Sequence, residues 1–219
     1  MQKIIFANWK CYKSASESRE WIVEVGAFLN QNDPFRLVVC PPFTYLYEIG
    51  QMIADGGYPM ELGAQSVSSY EDGAYTGEVS AKMLSCVGVK WSLIGHSERR
   101  AYFFEKNSDI EEKVLKCRAH GIEPVALVRS EEDVIPDQVS YFAWEPVSAI
   151  GTGNAIDPAE AEREIIKLKD NRALHGMYGG SVKVENVGAY FACAGIEGAV
   201  VGSASLDPHK FIQLLNALR

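Results

Sequence analysis

Eight short runs rich in Val, Ile, Leu and aromatic residues recur along this chain, near residues 3–9, 36–40, 60–64, 90–95, 123–128, 140–144, 174–178 and 197–201. Helical periodicity fills most of the gaps between them: Trp21, Val25, Phe28 and Leu29 share one face, and Val79, Met83, Cys86 and Val87 another. Strand followed by helix, repeated through 219 residues, predicts an α/β protein. A closed (β/α)8 barrel is the simplest arrangement that leaves no sheet edge exposed, although periodicity alone also permits a doubly wound open sheet. Helix boundaries are marked by the capping-box spacings Ser14/Glu17 and Ser108/Glu111, by Asp207 before Pro208, and by Gly88, Gly121 and Gly195 where helices should stop. Residues 129–140, including Pro136, leave too little chain for a full helix between the fifth and sixth strands, so the helical layer should be trimmed there.

With 47% hydrophobic and 23% charged residues, the chain can bury one sizeable core, and a single domain over residues 1–219 is expected. No unbroken apolar run reaches the roughly 18–20 residues of a membrane helix, and the first residues read as a strand rather than a signal peptide. A soluble cytoplasmic protein with no membrane partner follows as the expectation. The five cysteines are scattered and form no Cys-x-x-Cys pair, so buried reduced thiols are expected rather than disulfides or a zinc site. A net charge of -8 without a basic cluster disfavours nucleic acid, while leaving room for a small anion at a local positive spot.

Three strands end in chemistry. Ile4-Ile5-Phe6-Ala7-Asn8-Trp9-Lys10 ends in an amide and an amine, Leu93-Ile94-Gly95-His96 in an imidazole before the charged helix start Ser97-Glu98-Arg99-Arg100, and Tyr141-Phe142-Ala143-Trp144-Glu145 in a carboxylate. Strand alternation groups Phe6 with Asn8 and Lys10, Ser92 with Ile94 and His96, and Tyr141 with Ala143 and Glu145, and all three sets are expected to face the barrel mouth. A base, an electrophile and a cation around one pocket suit proton abstraction beside a carbonyl. Taken singly, His96 suits a structural role, Lys10 a solvated charge, Asn8 a turn cap and Gly179-Gly180 a plain turn. Glu98 and Arg99 are read as bracing the site by ion pairing, Arg100 as an exposed helix start, and His120, His175 and His209 as structural or exposed.

Together with Tyr178-Gly179-Gly180-Ser181-Val182-Lys183 and Val201-Gly202-Ser203-Ala204-Ser205-Leu206, these motifs resemble triosephosphate isomerase, in order and over nearly the whole chain. The resemblance implies a TIM barrel and a cofactor-free, metal-free interconversion of dihydroxyacetone phosphate and glyceraldehyde 3-phosphate. In it Glu145 is the base, His96 a neutral electrophile, Lys10 the cation that offsets enediolate charge, and Asn8 a donor near the carbonyl oxygen. The family is a known case of pKa tuning by a helix N-terminus, so the neutral imidazole is carried over from it and not predicted. The amides of Gly151, Ser181, Gly202 and Ser203 would bind the substrate phosphate, and residues 146–153 would form a lid that excludes water. The loop ending Tyr75-Thr76-Gly77-Glu78 inserts into a neighbouring subunit in that family, which implies a homodimer.

Departures are specific. Ser148 stands where the lid normally has Trp, and Leu127-Val128-Arg129-Ser130 replaces the usual Cys-Val-Gly-Glu, removing the glutamate that positions that Trp. Gly202-Ser203 replaces a Gly-Gly pair, which keeps a backbone donor if Ser203 adopts the needed angles. These changes leave two alternatives open: an isomerase of a four-carbon sugar phosphate, and a non-catalytic sugar-phosphate binder on the same fold.

Overall fold

The computed structural model describes residues 2–149 and 155–219. Eight parallel strands form a closed barrel in sequence order: β1 (Lys3–Asn8), β2 (Phe35–Cys40), β3 (Glu61–Ala64), β4 (Trp91–Ile94), β5 (Glu123–Val128), β6 (Tyr141–Trp144), β7 (His175–Tyr178) and β8 (Gly198–Val201). Closure comes from β1 against β8, with Ile4 opposite Gly198 and Ala7 opposite Val201. Around it lie α1 (Ala15–Phe28), α2 (Leu46–Gly56), α3 (Ala81–Cys86), α4 (Ser97–Tyr102), α5 (Asn107–Ala119), α6 (Pro158–Lys169), α7 (Val184–Ala192) and α8 (Pro208–Asn216). Residues 129–140 form turns and no helix, as their length demands. Among the described residues, no helix is long and apolar enough to cross a membrane.

Strand alternation divides the core into two layers. Ile4, Phe6, Val38, Cys40, Trp91, Leu93, Val125, Leu127, Ala143, Met177 and Val200 fill the barrel interior, while Ile5, Ala7, Val39, Ile94 and Ala126 pack outward with the helix faces. At the seam of α1 and α8, Trp21 packs on Trp9 and Phe211, and its indole N–H donates to the Ser205 carbonyl at 2.8 Å. Full burial of each such side chain contributes roughly 1.5–3 kcal/mol.

Local signals set most boundaries. Ser14 and Glu17 form the expected capping box, and Asp207 caps α8. The Ser108/Glu111 reading is displaced: Lys106 is the cap position, Asp109 accepts its backbone N–H at 2.8 Å, and Ser108 lies inside α5. Gly88 and Gly121 adopt the left-handed conformation that ends a helix, but Gly195 does not. Gly195 instead lies close against Glu162, whose carboxylate accepts the Gly195 N–H at 2.6 Å and whose Cγ would stand 3.0 Å from an added Cβ. The stripe read on α3 is rotated: Ala81 and Leu84 are buried, whereas Met83 is 51% exposed and Cys86 faces solvent. Cys11 is exposed as well, so of the five free thiols only Cys40 and Cys117 are buried.

The parity expected for β4 is also wrong in one respect. Trp91 and Leu93 point inward and Ile94 outward, so simple alternation would send His96 away from the mouth. Gly95, at φ 79°, breaks the alternation and turns His96 inward, where it is 7% exposed. A Cβ at this position would lie 3.0 Å from Arg100 Nη2 and from Ile110 Cδ1, besides demanding a left-handed L-residue. Gly95→Ala is therefore expected to cost about 1–2 kcal/mol in urea denaturation. Unchanged stability in that measurement would mean the turn tolerates a side chain.

Candidate active site

At the carboxyl ends of the strands, Asn8, Lys10, His96, Glu145, Ser181, Gly202 and Ser203 line one cavity of ≈ 230 Å³. These are residues singled out from the sequence, and the structure places them around one cavity; Gly151 lies outside the described residues. The fold supplies the convergence, because parallel strands with helices outside them all end at the same rim.

His96 is the N-cap of α4, and its Nδ1 accepts the backbone N–H of Glu98 at 3.1 Å. An accepting Nδ1 carries a lone pair, which puts the ring proton on Nε2. That nitrogen faces Glu145 Oε1 at 3.3 Å. The other carboxylate oxygen of Glu145 accepts the Ser97 N–H at 2.9 Å, so consecutive amides of one helix start hold both side chains. Glu145 sits where β6 ends, with its own N–H donated to the Val128 carbonyl at 2.7 Å. Gly179 must lack a Cβ, since one there would stand 2.8 Å from Glu145 Cγ. Burial pushes the Glu145 carboxyl above its ordinary value, and the opposing pull of His96, the Ser97 N–H and Lys10 does not cancel it.

Lys10 occupies the left-handed region at φ 52°, rare for a lysine and costly unless its surroundings enforce it. Its N–H donates to Asn8 Oδ1 at 3.0 Å, while Gln65 Nε2 donates to the Lys10 carbonyl at 2.8 Å and to that of Cys40 at 2.9 Å. Its ammonium meets Glu98 Oε1 at 2.6 Å and still borders the cavity. Glu98 thus braces the site as expected, and Arg99 and Lys113 both pair with Glu105 behind it. The outlying histidines are engaged elsewhere, His120 with Glu71 and His175 with Glu197.

Another wall of the cavity is formed by Ser181, Gly202, Ser203 and Ala204. A short 3-10 turn, Ser203–Ser205, opens at the wall, and the leading amides of such a turn have no upstream carbonyl within it. Ser203 does not have positive φ, so serine replaces the usual glycine here without left-handed strain. Ser181 Oγ donates to the Ala149 carbonyl at 2.7 Å, tying the cavity wall to the segment after Glu145. At the far side of that segment, the Ile156 N–H donates to Tyr178 Oη at 3.0 Å, and Tyr190 Oη donates to the Ile156 carbonyl.

Three features escaped sequence reasoning. Gln65 and the Tyr178/Tyr190 anchor lie in runs whose composition announced only a strand end or a helix. Arg100, read as an exposed helix start, is 8% exposed, donating from Nε to the Gly95 carbonyl at 2.9 Å and from Nη1 to Asn107 Oδ1 at 2.8 Å. Its position, four residues after the buried N-cap His96, was the available signal, since that spacing returns a helix residue to the inner face.

The family model for triosephosphate isomerase matches residues 3–134 and 128–218, its two stretches overlapping in the shortened β5–β6 connection. The chain is 34% identical to the triosephosphate isomerase of Chloroflexus aurantiacus over an alignment of 246 residues, covering 97% of this chain and 98% of that one. It is 36% identical to that of Gloeothece citriformis, covering 99% of each, and 34% identical to that of Mesomycoplasma hyopneumoniae strain 232, covering 98% and 99%. Alignments longer than the 219-residue chain carry gaps on its side, as internal trimming requires. The chain belongs to the triosephosphate isomerase family.

Proposed function

We propose that this chain interconverts dihydroxyacetone phosphate and D-glyceraldehyde 3-phosphate, with Glu145 as base and His96 as electrophile, a step of glycolysis and gluconeogenesis. The carrying observation is the Glu145 carboxylate 3.3 Å from His96 Nε2 inside a cavity sized for a small phosphorylated sugar. Glu145 removes a proton from the carbon beside the carbonyl, and the released electron pair forms the carbon–carbon double bond of an enediolate. The His96 Nε2–H donates to the carbonyl oxygen and exchanges the proton between the two oxygens. Protonated Glu145 returns its proton to the neighbouring carbon, so atoms and charge balance. Lys10 offsets the growing negative charge and Asn8 donates near the same oxygen. Amides at Ser181, Gly202 and Ser203 take the phosphate, and the resemblance assigns Gly151 and the lid 146–153 to the same work, although residues 150–153 lie outside the described residues.

The whole chain acts as one barrel domain in the cytoplasm in this reading, and as a homodimer. Support for the dimer comes from the loop carrying the stacked rings of Tyr70 and Tyr75, and from Tyr102, Phe103 and Phe104, exposed by 73%, 65% and 78%. Light scattering should return twice the chain mass, and a monomer mass at micromolar concentration would contradict the dimer. The family match favours the triose substrate over the four-carbon sugar and the non-catalytic binder.

Glu145→Gln keeps shape and removes the base, so turnover in a coupled glyceraldehyde 3-phosphate assay should fall roughly a hundred- to ten-thousandfold. Near-parent turnover would remove Glu145 from the base role. The same variant should not lose stability. Because the folded-state pKa lies above the ordinary 4.5, the folded form binds the proton more tightly than the unfolded form. The penalty for burying the charge is thus absent at low pH and fully present above the raised pKa. At neutral pH the variant should melt at or above the parent temperature, and a clear drop would mean the ionised carboxylate supports the fold.

The pH profile follows from the same shift. Only the carboxylate can accept the proton, so kcat/KM should fall as pH drops through a limb lying above 4.5. A limb at or below that value would show that the partners of Glu145 outweigh its burial.

A further inference from the structure

Where the helical layer is trimmed, residues 129–140 carry a buried carboxylate. Asp133 is 6% exposed, its Oδ2 accepts both the backbone N–H and the Nε of Arg129 at 2.8 Å, and its Oδ1 accepts Arg129 Nη2 at 2.7 Å. The same Oδ1 lies 3.5 Å from Nη1 of the buried Arg100. Each arginine reaches one half of the site. The Arg129 carbonyl accepts the Trp144 indole N–H at 3.1 Å, next to Glu145 in the chain, while the Arg100 Nε holds the Gly95 carbonyl, next to His96.

We propose that Asp133 is a positioning residue: its carboxylate bridges Arg129 and Arg100 and so fixes the end of β6, with Glu145, relative to the Gly95 turn, with His96. The bridge lies where the β5–β6 connection of this chain has no helix of its own. It rests on the isomerase reading of Glu145 and His96. The geometry makes the bridge specific, because Asp133 is not among the residues that line the cavity, and its carboxylate is held by Arg129 and Arg100. Burial by itself would raise the Asp133 carboxyl, but the Arg129 hydrogen bonds and the charge of Arg100 hold it below its ordinary range, so the bridge stays ionised in the folded protein.

The test compares steady-state kinetics of parent, Asp133→Asn and Arg100→Lys on glyceraldehyde 3-phosphate, with inhibition by inorganic phosphate and a thermal melt on each. Displacement of the base by a fraction of an ångström should lower kcat about tenfold or more. KM and the phosphate inhibition constant should stay within about twofold, because the anion wall is untouched. Arg100→Lys keeps the charge but cannot hold Gly95 and Asp133 together, so it should show the same split, and the double variant should be little worse than either single. Parental kcat in both folded variants would overturn the proposal. A fall in kcat matched by equal loss of phosphate binding, or failure of both variants to melt cooperatively, would assign Asp133 to general stability and also overturn it. An inactive parent would overturn the isomerase reading and this proposal with it, whereas an active parent with unaffected variants removes only the role of Asp133.

Discussion

Two neighbouring backbone amides organise the rim of this barrel. The Ser97 N–H holds one oxygen of Glu145, and the Glu98 N–H holds Nδ1 of His96. Both belong to the first turn of α4, where helix geometry leaves N–H groups without intrahelical acceptors, so the fold itself provides the donors. That turn is aimed by Gly95, whose left-handed backbone reverses the strand alternation and swings the imidazole into the mouth. Lys10 joins the arrangement through Glu98 and is held in its own left-handed conformation by Gln65 and Asn8. Gly95 takes up its left-handed conformation at no steric cost because it has no Cβ, whereas the strain at Lys10 is tolerated because its neighbours hold it there.

Two buried carboxylates beside this turn titrate in opposite directions, and counting their partners explains why. Glu145 has one amide, one imidazole and a more distant ammonium, so desolvation wins and its carboxyl is pushed up. Asp133 has three N–H bonds from Arg129 and the nearby charge of Arg100, so its partners win and it is held down. Charge-assisted bonds of that kind are roughly twice as strong as neutral ones, and a bidentate arginine supplies two of them. A raised carboxyl suits a group that must pick up and return a proton, and a depressed one suits a permanent anion that must stay paired. Location and chemistry therefore assign the two acids different work within one small region.

Much of this was legible in the chain. The eight strand positions came from runs of β-branched and aromatic residues, and the clustering of Asn8, Lys10, His96 and Glu145 followed once a closed barrel put their strand ends on one rim. What misled the reading was local geometry that composition does not encode. The orientation of His96 depended on a single positive φ at Gly95, which alternation cannot anticipate. Arg100 looked exposed because charge normally faces water, but its partners are Gly95, Asn107 and Asp133, the last more than thirty positions away in a segment without helix or strand. Ser108 lost the start of α5 to Lys106 because an aspartate at 109 satisfied the earlier amide. In each case one particular contact, local or distant, or one backbone angle, decided against a pattern that was statistically sound.

The account stands most directly on the tautomer of His96, because only a proton on Nε2 can be presented to a substrate oxygen beside Glu145. Nitrogen-15 NMR of the ring at neutral pH, assigned against a His96→Gln variant, reads that proton. The account predicts a protonated Nε2 and an unprotonated Nδ1 that accepts the Glu98 amide. A proton on Nδ1 would contradict it, since the helix start could then no longer hold the ring and His96 would have no hydrogen to donate where the reaction needs one.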